Sequence, residues 1–82
     1  MTDLSAAIAD CVRGERSARH WTQAHLGKLV GISGTTVSDI ENHRRLIAVD
    51  ELPKLCEALD LSLVELVRRA DGADLRRMRI PQ

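Results

Sequence analysis

Thr22-Gln23-Ala24-His25-Leu26-Gly27-Lys28-Leu29-Val30-Gly31-Ile32-Ser33-Gly34-Thr35-Thr36-Val37-Ser38-Asp39-Ile40-Glu41-Asn42 is the stretch that decides the fold. Thr22 has the hydroxyl an N-cap needs, and Trp21 and Leu26 flank it as the N′ and N4 pair of a hydrophobic staple. The same grammar recurs at Ile32-Ser33-Gly34-Thr35-Thr36-Val37, so two helices are predicted to start at residues 23 and 34. Only Gly31-Ile32-Ser33 joins them, which forces a steep crossing. Gly31 can take the positive φ that ends the first of the pair. Gly27 is small where the two helices meet, and Leu26 and Val30 face Val37 and Ile40 across the contact.

Working outward, the staple-and-cap pattern appears a third time at Leu61-Ser62-Leu63-Val64-Glu65-Leu66, where Ser62 and Glu65 have capping-box spacing and predict a helix start at residue 63. Leu4, Ile8, Cys11 and Val12 recur at helical spacing and predict a first helix over about residues 3–19. Val49, Leu52, Leu55, Cys56 and Leu59 give a fourth helix its apolar stripe. Ala48 is a poor cap for it, and Pro53 about one turn in predicts a kink or an irregular first turn. Asp71-Gly72 is expected to end the fifth helix. The expected organisation is therefore all-α: one domain of five short helices over residues 1–72, then a tail over 73–82 in which Arg77-Met78-Arg79-Ile80 could at most form a short edge strand.

Composition narrows the function. At 82 residues the chain is one small domain, and such a domain buries only about 60% of its unfolded surface. Twelve basic residues balance twelve acidic ones, which excludes a strongly basic histone-like binder and an acidic disordered tail. The charge is nonetheless uneven. Residues 11–47 hold Arg13, Arg16, Arg19, Lys28, Arg44 and Arg45 against Glu15, Asp39 and Glu41, together with all three histidines. Residues 48–74 are acidic, and Arg76, Arg77 and Arg79 make the end basic. Local potential, rather than total charge, decides where a polyanion lands. Trp21 is the single aromatic, which argues against a β-sandwich and against stacking of single-stranded nucleic acid. No apolar run approaches a membrane span and no signal peptide is evident, so a cytoplasmic protein is expected. Cys11 and Cys56 lack metal-ligand spacing and read as buried small hydrophobes in a reducing compartment.

A small residue, a glycine four positions later and an aliphatic residue six beyond that is the spacing of a helix-turn-helix. The stretch from Thr22 through Glu41, continued ungapped through Leu55-Cys56-Glu57-Ala58-Leu59-Asp60-Leu61-Ser62-Leu63-Val64-Glu65-Leu66, resembles the Cro/CI-type (XRE) helix-turn-helix family of prokaryotic and phage regulators over about residues 8–70. The resemblance implies a lambda-repressor-like domain that binds double-stranded DNA, many members doing so as homodimers on palindromic operators. It implies base readout by Gly34, Thr35, Ser38, Asp39 and Asn42. It places Thr22, Gln23, Ser33, Thr36, His43, Arg44 and Arg45 at phosphates. Arg16 and Glu41 match a pair that bridges the first helix to the third. Chemically, Thr35 can meet a thymine methyl or donate a hydrogen bond, and Asp39 can accept from cytosine N4. Glycine is usual in the family where this chain has His43, so a different loop is expected there, and alanine is usual at Gly27. The reading face carries no Arg, Lys or Gln, which removes bidentate guanine recognition from that helix.

The expected function is sequence-specific regulation of transcription, as a repressor. Leu46 and Ile47, with Leu29, are either core residues or an apolar patch that a dimer buries. The alternative is an antitoxin-like or anti-regulator protein whose main partner is another protein, considered because of the acidic stretch 48–74 and apolar Leu46-Ile47. An enzyme is not expected: the chain offers no nucleophile–base arrangement, Gly-rich phosphate loop or metal cluster. No cofactor, metal or small-molecule effector is expected, and the site of action would be the nucleoid.

Overall fold

Five helices follow one another: α1 (Asp3–Ala18), α2 (Gln23–Val30), α3 (Gly34–Glu41), α4 (Glu51–Leu59) and α5 (Leu63–Met78). A computed structural model gives the backbone of residues 3–78 and the side chains of residues 4–70. Among the described residues there is no strand, and no helix is long and apolar enough to cross a membrane. α1 lies along α5, and α2 crosses α3 with α4 packed behind. Val12, Leu26, Val30, Val37, Leu55, Cys56, Leu59 and Leu66 form the core; Trp21, Ile32 and Ile47 pack on its edge.

The starts of α2, α3 and α5 fall at the expected residues for the expected reason. The hydroxyls of Thr22, Ser33 and Ser62 accept the backbone N–H groups of His25, Thr36 and Glu65, each at 3.0 Å. Each cap satisfies one of the four amide hydrogens that a helix start leaves without an internal partner. The Glu65 carboxylate lies 3.9 Å from Arg69, one turn along α5.

α4 begins later than the apolar stripe suggests. Its first residue is Glu51, so Pro53 stands at the third helical position. The amide of that position has no partner in any α-helix, and the ring removes nothing from the ladder. The irregularity sits just before the helix instead. Asp50 makes no side-chain cap, and Glu51 Oε1 accepts from the Ala48 amide at 2.8 Å, the glutamate half of a capping box without its hydroxyl half. Val49, expected on the stripe, precedes the helix and is 84% exposed. At the other end of the chain, α5 does not stop at Gly72; it runs to Met78 and takes in residues 73–78 of the expected tail, including Arg77 and Met78 of the suggested strand. A glycine costs a helix only about 1 kcal/mol and does not by itself end one.

Four helices close on a left-handed residue: His20 (φ 58), Gly31 (φ 88), His43 (φ 61) and Asp60 (φ 55). After α3, the Arg44 amide donates to Asp39 O at 2.8 Å and the His43 amide to Ile40 O at 3.1 Å, the paired bonds of a Schellman ending. The non-glycine at His43 therefore does not produce the different ending expected there. Histidine and aspartate tolerate the left-handed region better than most side chains.

The α2–α3 crossing depends on Gly27. A Cβ placed there would come 2.5 Å from Ile32 O and 3.0 Å from Ser33 C, both backbone atoms of the turn. The turn therefore rests on bare helix backbone. Nearby, a polar cluster ties three helices together. Arg16 of α1 donates from Nε to Glu41 Oε2 at 2.8 Å and from Nη2 to Glu41 Oε1 at 3.0 Å, while its Nη1 donates to Trp21 O at 2.6 Å. Gln23 Nε2, at the start of α2, donates to the same Glu41 Oε1 at 3.0 Å. The side chains of Arg16 and Glu41 are only 15% and 2% exposed. The contact with Glu41 holds the Arg16 guanidinium firmly protonated, above its ordinary range.

Three outcomes follow for stability. Gly27→Ala gains about 1 kcal/mol of helix propensity but forces the turn outward at about 1–3 kcal/mol, so the urea midpoint falls. Arg16→Met strands a buried carboxylate and costs about 3–5 kcal/mol by denaturant titration; Glu41→Gln, which leaves no buried charge unpaired on the α3 side, costs less. The third outcome concerns Glu51. The Arg45 guanidinium, donating to its carboxylate at 2.9 and 2.7 Å, holds its pKa below the ordinary value. A depressed carboxylate adds stability that is present above the unfolded value of about 4.3 and is lost as pH falls through the folded value. Thermal melts followed by Trp21 fluorescence should lose Tm between about pH 5 and 3, and Glu51→Gln should flatten that decline.

Candidate nucleic-acid interface

The outer face of α3 is built from residues that point away from Val37 and Ile40, its two buried apolar side chains. Thr35 is fully on the surface, with Thr36, Ser38 and Asp39 partly exposed beside it and Asn42 exposed at the end. Gly34 is partly exposed and also abuts α2: a Cβ there would come 3.0 Å from Ala24 Cα, so the glycine lets the two helices approach. Asn42 is the C-cap, and its Nδ2 donates to Ser38 O at 2.9 Å and Ser38 Oγ at 3.2 Å. Ser33 and Thr36 share a hydroxyl–hydroxyl bond of 2.8 Å. Thr35 and Asp39 thus project from the face with their polar atoms least engaged by the helix itself.

The expected phosphate-binding residues divide. Thr22 and Ser33 are spent as caps, yet the helix starts they cap still present backbone N–H groups and the positive end of the helix dipole outward. Gln23 gives one amide hydrogen to Glu41 and keeps the second of its two donors for another acceptor. Arg44 is 71% exposed, with its Nη1 at a long 3.8 Å from Asp39 Oδ1.

His43 and Arg45 have partners within the fold that the sequence did not show. His43 Nε2 lies 2.9 Å from Asp10 Oδ1, tying the loop after α3 back to α1. Arg45 forms a two-pronged pair with Glu51 and also donates to Leu46 O at 3.1 Å. Both side chains lie against a carboxylate of the fold and help shape the loop, while each stays more than one-third exposed. Of the two apolar residues expected at a dimer contact, Leu46 is 57% exposed, whereas Ile47 packs half-buried on the core.

Several residues that position the face were not singled out by the sequence. Glu51 had a readable signal, three residues after Ala48. Asp10 had none, being 33 positions from His43. Arg19 donates from Nη2 to Leu59 O at 2.6 Å and from Nη1 to Glu15 Oε1 at 2.9 Å, and Arg69 reaches Glu15 Oε2 at 2.6 Å, clamping α1 to α4 and α5. Those two guanidiniums, Arg19 first, hold the Glu15 carboxyl below its usual range. The thiols of Cys11 and Cys56 are both free, and burial pushes both upward, away from the reactive thiolate.

Comparison with known proteins agrees with this geometry. The helix-turn-helix family model HTH_3 matches residues 12–66. The clp gene regulator ClgR from Corynebacterium glutamicum shares the fold, with a TM-score of 0.86 at 22% identity over 93% of this chain and 81% of that one. The P22 c2 repressor protein, solved in complex with synthetic operator 9T, gives a TM-score of 0.68 at 29% identity over 76% of this chain and 94% of that one. The restriction-modification controller protein C.AhdI from Aeromonas hydrophila gives 0.71 at 29% identity over 80% and 98%. No curated protein sequence matches the chain. The family and the fold are those of transcription regulators rather than enzymes. The matched span runs from the buried Val12 of α1 to Leu66 of α5 and encloses the whole α2–α3 face, and the chain belongs to the helix-turn-helix family HTH_3, the XRE-type DNA-binding transcription regulators.

Proposed function

We propose that this regulator represses transcription as a homodimer on a palindromic operator, each copy laying α3 in a major groove. The observation that carries the reading is the outer face of α3. It is a row of short polar side chains, Thr35, Ser38 and Asp39, left open by the rest of the fold and flanked by two capped helix starts and by Arg44. Short side chains let a helix approach base edges closely, while helix N-termini and an exposed guanidinium meet phosphates on either side. The P22 c2 repressor, similar over most of its length, is solved on a synthetic operator, which supports the same docking here.

In this reading Thr35, Ser38, Asp39 and Asn42 read bases, with Gly34 allowing close approach. Gln23, Arg44, Thr36 and the amides capped by Thr22 and Ser33 hold phosphates. The second copy covers apolar surface that one chain leaves in water: Leu46 and Val49 on the α3–α4 loop, and Leu63 and Val64 in the first turn of α5. Two recognition helices then lie about 34 Å apart, one turn of duplex. The protein acts in the cytoplasm, on the nucleoid.

Selection of bound duplexes from a random pool, followed by titration across salt, tests the whole reading. A two-fold symmetric site carrying two copies is expected, with affinity falling steeply as salt rises. Replacing Thr35 and Ser38 together by Ala should weaken binding to the selected site by about 1–3 kcal/mol per lost base contact while the melting temperature barely moves. Absence of salt-sensitive binding to any duplex would sink the proposal.

A further inference from the structure

Asp39 is the one acidic side chain on the outer face of α3, and its nearest counter-charge comes from a residue fixed by the same helix ending. The Arg44 amide donates to the Asp39 carbonyl at 2.8 Å, which sets Arg44 one turn beyond Asp39. From there the guanidinium bends back to 3.8 Å from the Asp39 carboxylate. The two groups differ in freedom: the Asp39 side chain is 38% exposed and that of Arg44 71%. The neighbouring cation, Arg45, is occupied by Glu51, leaving Arg44 to face Asp39.

A carboxylate on a groove-reading helix is a demand as well as a contact. Ionised, it accepts hydrogen bonds and donates none. In the major groove, guanine offers two acceptors and thymine one, so an Asp placed opposite either is left unpaired beside phosphates; cytosine offers the N4 amino donor and adenine the N6 amino donor. The rest of the face offers no positive charge to compensate: Ser38 and Asn42 are bonded to each other, Gly34 has no side chain, and Thr35 has only a neutral hydroxyl.

Resting on the DNA-reading assigned to α3 above, we infer that Asp39 and Arg44 act as one unit that makes phosphate binding depend on base identity. Where Asp39 finds an exocyclic amino group, cytosine N4 or adenine N6, that donor replaces the guanidinium, and Arg44 swings to the adjacent phosphate. Where it finds guanine or thymine, Arg44 stays with Asp39, whose charge would otherwise be unpaired, and the phosphate contact is not made. The loop anchors through His43–Asp10 and Arg45–Glu51 hold the backbone still, so only the Arg44 side chain moves. Asp39 thereby lowers affinity for unmatched DNA, and the near-neutral chain confines its binding to matched sites.

The test compares wild type, Asp39→Asn, Arg44→Ala and the double variant on two duplexes: one selected by wild type from a random pool, and the same duplex with the selected amino-bearing base replaced by thymine or guanine, which lack a major-groove donor. Wild type should select cytosine or adenine at one symmetric position in each half-site. Arg44→Ala should reduce the slope of log affinity against log salt by about one on the matched duplex, as one phosphate contact is lost, and leave it unchanged on the unmatched duplex. With Asn at position 39, the preference for an amino-bearing base should disappear, affinity for unmatched duplex should rise several-fold, and Arg44→Ala should lower the slope equally on both. An equal slope change on the two duplexes with Asp39 present, or a base preference at that position that survives Asp39→Asn, would overturn the coupling while leaving DNA reading by α3 intact. If wild type selects no sequence at all, the DNA-reading assignment fails first and the coupling with it. Unchanged melting curves for the four proteins confirm that the exposed pair affects binding alone.

Discussion

A carboxylate with 2% of its side chain exposed, Glu41, stands at the end of the recognition helix and accepts three hydrogen bonds, two from Arg16 and one from Gln23. Leaving such a charge unpaired away from water would be prohibitive, so the positions of its partners are tightly constrained. Arg16 brings α1 and, through the Trp21 carbonyl, the loop before α2; Gln23 brings the first turn of α2. Buried pairs add little net stability over well-packed apolar residues. What this one adds is geometry. α2 and α3 are eight residues each and bury Leu26, Val30, Val37 and Ile40, whose apolar packing is non-directional. The directional bonds to Glu41 add an orientation to that packing, and Thr35 and Asp39 share the helix they orient.

The second constraint is closeness. Gly27 lets the backbone of the turn sit where a methyl group would be, and Gly34 lets the start of α3 rest on Ala24. Together they bring the two helices nearer than side chains would permit. The backbone amides at both helix starts consequently lie at the same molecular edge as the reading face, which is the arrangement an anionic duplex requires.

A third theme is how the fold distributes its cations. Arg16, Arg19, Arg45 and Arg69 are all engaged with carboxylates, several across distant parts of the chain. Part of the charge in the basic segment is therefore committed to shaping loops and docking helices. Beside the outer face of α3, Arg44 has only a long 3.8 Å approach to Asp39, and Gln23 keeps one amide hydrogen.

The five helices and the three capped starts at residues 23, 34 and 63 were legible in the sequence because a cap and a staple are local: a hydroxyl reaches an amide three residues on, and nothing distant intervenes. So was the αL end at Gly31, and the family resemblance pointed to Arg16 and Glu41. What the sequence could not determine was the fate of side chains whose partners lie far along the chain. The sequence suggested His43 and Arg45 as phosphate ligands, and it gave no sign that Asp10 and Glu51 lie beside them. Val49 lay on an apolar stripe until the true start of α4 left it in water. Local hydrogen bonds fix where a helix begins, but a long charged side chain settles on whichever opposite charge the folded chain brings within reach, and that is decided in three dimensions.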